Sequence, residues 1–289
     1  MKRYTVNVLC GLVFMSTYSV ALCAADMFGN PTTIGTPGQF EIQIGGGKIK
    51  KLDLDGKKST ATMQIGTVTG SQSMPAFSGE LSENQAFIGV SYALNPRSQL
   101  FANLGNGKDS GQQSGSRAIG IKISTPEETS KIRMGLMLRA QQVTIDIDGP
   151  FSLNSPFIVS DGINNYYLNT SVLNGTEQLK YTRMEAFFGV SENTGIFRPY
   201  GGLCLTRITG TDTISLDDTV SVNSTPVGGG AVTTTTQRVM YNNKSDLSGS
   251  GYLSGVLGLS INPDSDLGMT VEIQTGIQQA IMLSGNIRF

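Results

Sequence analysis

The sequence predicts an all-β protein, a transmembrane up-and-down antiparallel β-barrel of about ten strands, with eight or twelve as the alternatives. Three observations carry that expectation. The last eleven residues, QAIMLSGNIRF, put Ile281, Leu283, Gly285, Ile287 and Phe289 on one face of a strand. Ala280, Met282, Ser284, Asn286 and Arg288 fall on the other. The same period-two pattern recurs along the chain, and the connections between its instances alternate long and short. A strand with lipid on one side and a filled lumen on the other needs that alternation.

At the other end, Lys2 and Arg3 form a short basic region, and Val6 to Val20 is uncharged and mostly apolar. Small residues follow at Ala24 and Ala25. This is the pattern of a secretory signal peptide over residues 1–25, cleaved after Ala25. The run is too short for a good membrane-spanning helix. Leu22 is bulky where a lipoprotein signal before Cys23 wants a small residue. Residues 26–38 are expected as an N-terminal periplasmic segment, and 39–289 as the barrel.

The strands are read in order. Phe40, Ile42 and Ile44 share a face, as do Ile88, Val90, Tyr92 and Leu94. Leu100, Ala102 and Leu104 align, then Ile119, Ile121 and Ile123. Ile132, Met134, Leu136, Leu138 and Ala140 oppose Arg133, Gly135, Met137, Arg139 and Gln141. Past Gln142 the apolar set switches to Val143, Ile145 and Ile147, which marks either a β-bulge or the strand leaving the membrane. Met184, Ala186, Phe188 and Val190 oppose Arg183, Glu185, Phe187 and Gly189. Leu203 and Leu205 come next, then Leu253, Leu257, Leu259 and Ile261, and then Leu267, Met269, Val271 and Ile273. The C-terminal segment makes ten.

The short connections carry turn chemistry at Asn95-Pro96, Thr125-Pro126, Glu192-Asn193 and Asn262-Pro263-Asp264. The long ones, 46–85, 148–176 and 211–247, are rich in Ser, Thr, Gly and Asn and read as solvated, mobile outer loops. A further hairpin around Met63–Thr69 would raise the strand count. No tryptophan occurs, so Tyr and Phe must form any interfacial girdle, with Tyr92 and Phe289 as candidates for the periplasmic rim.

Composition narrows the chemistry. Cleaving 1–25 removes Lys2 and Arg3 and no acid, so 21 basic and 22 acidic residues become 19 and 22. Nothing here forms a nucleic-acid footprint. The chain has no histidine, which excludes Ser-His-Asp and Cys-His catalysis and His-ligated zinc. No catalytic, cofactor or metal residue is assigned. Asp53-Leu54-Asp55-Gly56 and Asp146-Ile147-Asp148-Gly149 lack the ligand pattern of a calcium loop and read as plain turns. Cys204 reads as a small core residue. The alternation aims Glu41, Lys122, Arg133, Arg139, Arg183, Glu185, Arg198, Glu272 and Arg288 into the lumen. Charges in a narrow barrel must pair or be hydrated. They form either a plug or a narrow anion-favouring path, and a ten-stranded barrel favours the plug. In particular, Glu185 is expected to pair with an arginine of the preceding strand.

The segment FRPYGGLCL at 197–205, through Pro199, Tyr200 and Gly202, resembles the Pro-Tyr-x-Gly strand of the outer-membrane β-barrel family that includes opacity-protein-like and small porin-like proteins of diderm bacteria. Phe289 with Ile287 resembles that family's assembly signal, with Gly285 one position from its usual place. The resemblance implies location in the outer membrane, with outer-membrane lipid, the barrel assembly machinery and periplasmic chaperones as partners. The expected work is display of surface loops for adhesion or envelope interaction toward an unnamed surface ligand. The alternatives are a small passive channel and a secreted soluble β-protein. The mature protein is expected to begin at Asp26 and to require detergent for extraction from the outer-membrane fraction. Recovery from the periplasm without detergent would overturn this, and deleting Phe289 should slow assembly.

Overall fold

The computed structural model describes residues 27–109, 112–125, 131–153, 157–169, 172–249 and 251–289. The signal segment 1–25, and residues 126–128 of one expected turn, lie outside them. The described residues form fifteen strands. They are β1 (Phe40–Gly56), β2 (Ser59–Ile65), β3 (Val68–Met74), β4 (Phe77–Asn95), β5 (Ser98–Asp109), β6 (Gln112–Ser124), β7 (Ile132–Ser152) and β8 (Ile158–Ser160). They continue with β9 (Asn164–Leu168), β10 (Val172–Glu192), β11 (Phe197–Pro226), β12 (Thr233–Gly249), β13 (Leu253–Ile261), β14 (Leu267–Gly276) and β15 (Gln278–Arg288).

Ten of these close a ring in the order β1-β4-β5-β6-β7-β10-β11-β13-β14-β15 and back to β1, every pair antiparallel. They are the ten strands expected from the alternation. Closure joins the first strand to the last, with Glu41 opposite Arg288 and Ile42 opposite Ile287. Phe289 and Phe40 exchange two backbone hydrogen bonds of 3.1 Å. Beside them the Phe40 and Tyr92 rings pack at 4.7 Å between centroids, an exposed aromatic cluster at the end where the short turns lie.

The outward residues of the ring form one continuous apolar belt. It includes Ile44, Ile88, Leu104, Ile119, Leu138, Met184, Leu203, Leu257, Met269 and Leu283, all exposed. A closed ring with every backbone group paired and hydrocarbon side chains pointing out is stable only in a bilayer. Away from the short turns the belt stops at a polar rim. Lys48, Arg117, Gln142, Lys180, Arg207 and Gln279 all face out there.

Beyond that rim the strands continue and their polarity inverts. In β7 the register against β6 and β10 runs without a slip through Gln142, so the phase change at that residue is not a bulge. The strand leaves the membrane: Leu138 faces lipid, whereas Val143 and Ile145 are buried inside. β10 does the same, with Tyr181 and Leu179 inside beyond outward Met184, and β11 contributes Ile208. With Ile49, Leu52, Leu54, Leu81, Phe87, Leu247, Ile277 and Met282 these side chains pack into one apolar layer across the lumen. Each such burial stabilises by roughly 1.5–3 kcal/mol.

The segments expected as mobile loops are largely strand. Residues 46–85 extend β1, form the β2–β3 hairpin over the expected Met63–Thr69, and begin β4. Residues 211–247 become the far halves of β11 and β12, including the threonine run, whose β-branched side chains suit a pleated surface. Asp53 and Asp55 lie in β1, and Asp146 and Asp148 in β7, not in turns. β2, β3, β8 and β9 pack on the far halves of β11 and β12 around a second core that includes Met63, Ile65, Val159, Leu173, Leu216, Val239 and Tyr241. The β14–β15 hairpin stops short of this region. Past its tip at Ile277, β1 pairs directly with β12, Leu54 facing Gly249.

The belt makes outward positions differ by height. Leu136→Arg, at mid-belt, is expected to cost about 2–4 kcal/mol in reversible unfolding from lipid. Thr176→Arg, outward beyond the rim and opposite Asp148, should stay within about 0.5 kcal/mol. Equal losses at both would place the membrane boundary elsewhere.

Candidate functional site: the filled lumen

Within the belt the inward faces are largely polar, and of the expected lumen charges Glu41, Arg139, Arg183, Glu185, Arg198 and Arg288 form ion pairs. Glu185 of β10 stands directly opposite Arg139 of β7 in the ladder. Its Oε2 accepts from Arg139 Nε at 2.7 Å and lies 2.5 Å from Arg139 Nη2, and its Oε1 lies 3.2 Å from Arg183 Nε. All three side chains are almost fully buried. Arg183 and Glu185 fall on one side because they are two residues apart in a strand. Near the short turns, Arg288 Nε donates to Glu41 at 2.6 Å, and Arg198 Nη2 meets Asp264 at 2.6 Å.

The network runs on through residues that the charge pattern alone does not select. Arg183 donates to Gln278, whose amide donates to Gln274 at 2.7 Å. Gln274 donates to Glu272 at 2.6 Å, and the Tyr200 hydroxyl donates to the other Glu272 oxygen at 2.7 Å. Strict alternation already assigns Gln274 and Tyr200 to the inward side, whereas Gln278 falls in the expected connection at 277–278. What the sequence does not reveal is that Gln274, Gln278 and Arg183 connect Glu272 to Glu185 across β14, β15 and β10.

The larger difference concerns residues 26–38, expected in the periplasm. Met27 to Thr32 run inside the barrel and are buried. Phe28 and Gly29 donate their backbone N–H groups to the two Glu272 oxygens at 3.0 and 2.8 Å. The Phe28 ring packs at 5.1 Å from the Phe187 ring, with the Arg139 guanidinium 4.2 Å over its face. Arg139 Nη1 also donates to the Met27 carbonyl at 3.3 Å, and Thr32 Oγ1 lies 2.5 Å from Ser191 Oγ. Gly135 and Gly189, opposite each other in the β7–β10 ladder, make room for the segment. A Cβ on Gly135 would come within 2.5 Å of the Pro31 carbonyl, and one on Gly189 within 2.9 Å of Pro31 Cγ. Lys122 aims its Nζ at Gly29, 3.3 Å from where a Cβ there would stand. Arg133 is buried in the same wall, and Cys204 packs with Phe28 and Phe187 in a small core. Gly285 and Ile287 lie in β15 opposite Met269 and Leu267, with Ile287 and Phe289 facing lipid.

No protein-family model and no curated protein sequence matches the chain. Among solved structures, the translocator domain of the autotransporter NalP from Neisseria meningitidis is similar at 11% identity, covering 88% of this chain and 89% of that one, with a TM-score of 0.35. OprG from Pseudomonas aeruginosa is similar at 10% identity, over 77% and 98%, with a TM-score of 0.32. The outer membrane protease OmpT from Escherichia coli follows at 11%, over 90% and 97%, with a TM-score of 0.31. The closed antiparallel ring, its lipid-facing belt and its filled lumen define this chain as an outer-membrane β-barrel.

Glu185 holds two buried guanidinium groups, so its removal tests whether the lumen is dry. Glu185→Leu is expected to destabilise the barrel by roughly 3–5 kcal/mol in chemical unfolding. A loss of about 1 kcal/mol or less would mean that water solvates the stranded arginines.

Proposed function

We propose that the protein is a closed outer-membrane barrel whose work is done by its long-strand end, displayed at the cell surface for adhesion or envelope contact. The observation that carries this reading is the double closure of the lumen. The segment Met27–Thr32 fills it at the height of the belt, and an apolar layer closes it beyond the rim. A passive channel needs a continuous wetted path, and a layer of Ile, Leu, Val and Met side chains supplies none. The belt disfavours a secreted soluble protein, because a water-exposed apolar surface of that extent drives aggregation.

The short turns and the Phe40–Tyr92 cluster then face the periplasm, and β2, β3, β8, β9 and the far ends of β11 and β12 face outward. Loops folded into strands suit a display role, since a preformed surface avoids the ordering cost a mobile loop meets on binding. The opacity-protein-like motif at Pro199, Tyr200 and Gly202 agrees with this reading. Tyr200 there donates its hydroxyl to Glu272 in the lumen network. Assembly by the barrel insertion machinery, with Phe289 as its signal, belongs to the same proposal.

Refolded protein in planar bilayers is expected to show no discrete conductance steps, and protease added to whole cells should cut only between strands of the long-strand end. Steady ion-selective channels would establish the porin-like alternative instead. Labelling of a cysteine at position 98 from outside the cell would invert the orientation.

A further inference from the structure

Between the apolar layer and the second core lies a polar group that the lumen network does not use. Asp212 of β11 faces inward and is 2% exposed. It sits five residues past Arg207, and its neighbour Thr211 pairs with Lys180 of the rim, so it lies on the water side of that rim. Glu177 comes from the adjacent β10 on the same inward face, two residues from Leu179, which stands opposite Asp212 in the ladder. Ser245 of β12 stands directly opposite Asp212 in the ladder and is also 2% exposed. Cross-strand partners bring their Cβ atoms to roughly 4.5–5.5 Å. Among the described residues, neither Ser245 Oγ nor Asp212 Oδ1 has a hydrogen-bond partner. Buried hydroxyl and carboxylate oxygens left unpaired are costly.

Two neighbouring carboxyl groups withdrawn from water are costly to ionise together. Burial, and then the neighbouring Glu177 charge, push the Asp212 carboxyl up to about 7. Burial likewise raises Glu177. The other titratable groups on these inward faces include Tyr181 of β10 and Tyr241 of β12, which burial and then the Asp212 charge raise. The next inward arginine along β10, Arg183, is held by Glu185 and Gln278. β7 presents only Val143, Ile145 and Ile147 here. A cation seated between the two carboxyl groups offsets their repulsion and gives the orphaned oxygens a partner.

We propose that Glu177, Asp212 and Ser245 form a binding site for a hard divalent cation of the calcium type. The donors are all oxygen, two are anionic, and the orphaned hydroxyl supplies a neutral third; hard cations take such sets and complete them with water. Glu177 is only half buried and gives the ion its way in.

The test uses the full mature chain in non-ionic micelles, titrated with terbium(III) under tyrosine excitation, with calcium as competitor. Tyr241 stands close enough to sensitise the lanthanide. A saturable signal displaced by calcium is expected. Asp212→Asn and Glu177→Gln should each lower the affinity by about tenfold or more, and Ser245→Ala should lower it less. Asp217→Asn, at an exposed carboxylate paired with Arg238, should change nothing. Heat-dependent gel migration identifies the folded variants, and Ser245→Ala keeps the test open if a carboxylate variant fails to fold. No calcium-displaceable signal, or equal affinity in the folded variants, overturns the proposal.

Discussion

The architecture of this barrel follows from a change of solvent along its long strands. Up to the rim at Gln142, Lys180 and Arg207 the outer face meets hydrocarbon, and beyond it the same face meets water. The wall does not break register at that height, so side chains keep their alternation. What must change is which face is apolar. Inside the belt, where lipid covers the outside, the lumen takes the charges. Past the rim, where water covers the outside, the lumen takes the hydrocarbon and the wall behaves as a soluble β-barrel with a core.

That inversion decides how the lumen is filled. Polar side chains held below an apolar layer cannot draw freely on water from that side, so they satisfy one another. Glu185 is shared by Arg139 and Arg183, and Glu272 by Tyr200, Gln274 and two backbone N–H groups. Breaking one member strands its partners, which makes such a network rigid rather than permissive. The segment from Met27 to Thr32 belongs to this filling. Its backbone supplies donors that the strands, already paired in ladders, do not have to spare.

The same logic explains why the carboxyl pair at Asp212 and Glu177 stands out. Elsewhere in the lumen each acid faces a base or a cluster of donors. Here two acids face each other beside a hydroxyl with no partner, between two apolar clusters.

The sequence by itself determined the ten-stranded ring, the lipid-facing residues and the inward charges, because alternation is a local property. Side chains two apart in a strand must share a face, whatever the rest of the chain does. It also located the height at which β7 leaves the membrane, through the phase change at Gln142, though it left a bulge as an equal explanation. Only the tertiary structure decided between the two, because a bulge is defined by the partner strand's register. It alone placed Phe28 on Glu272, 244 residues away in the chain, since no short-range pattern encodes a backbone donor's distant acceptor. The β-structure of the long connections was missed for a related reason. Their polar, threonine-rich sequences look solvated locally, and they become strands because an already folded wall offers its edges as templates.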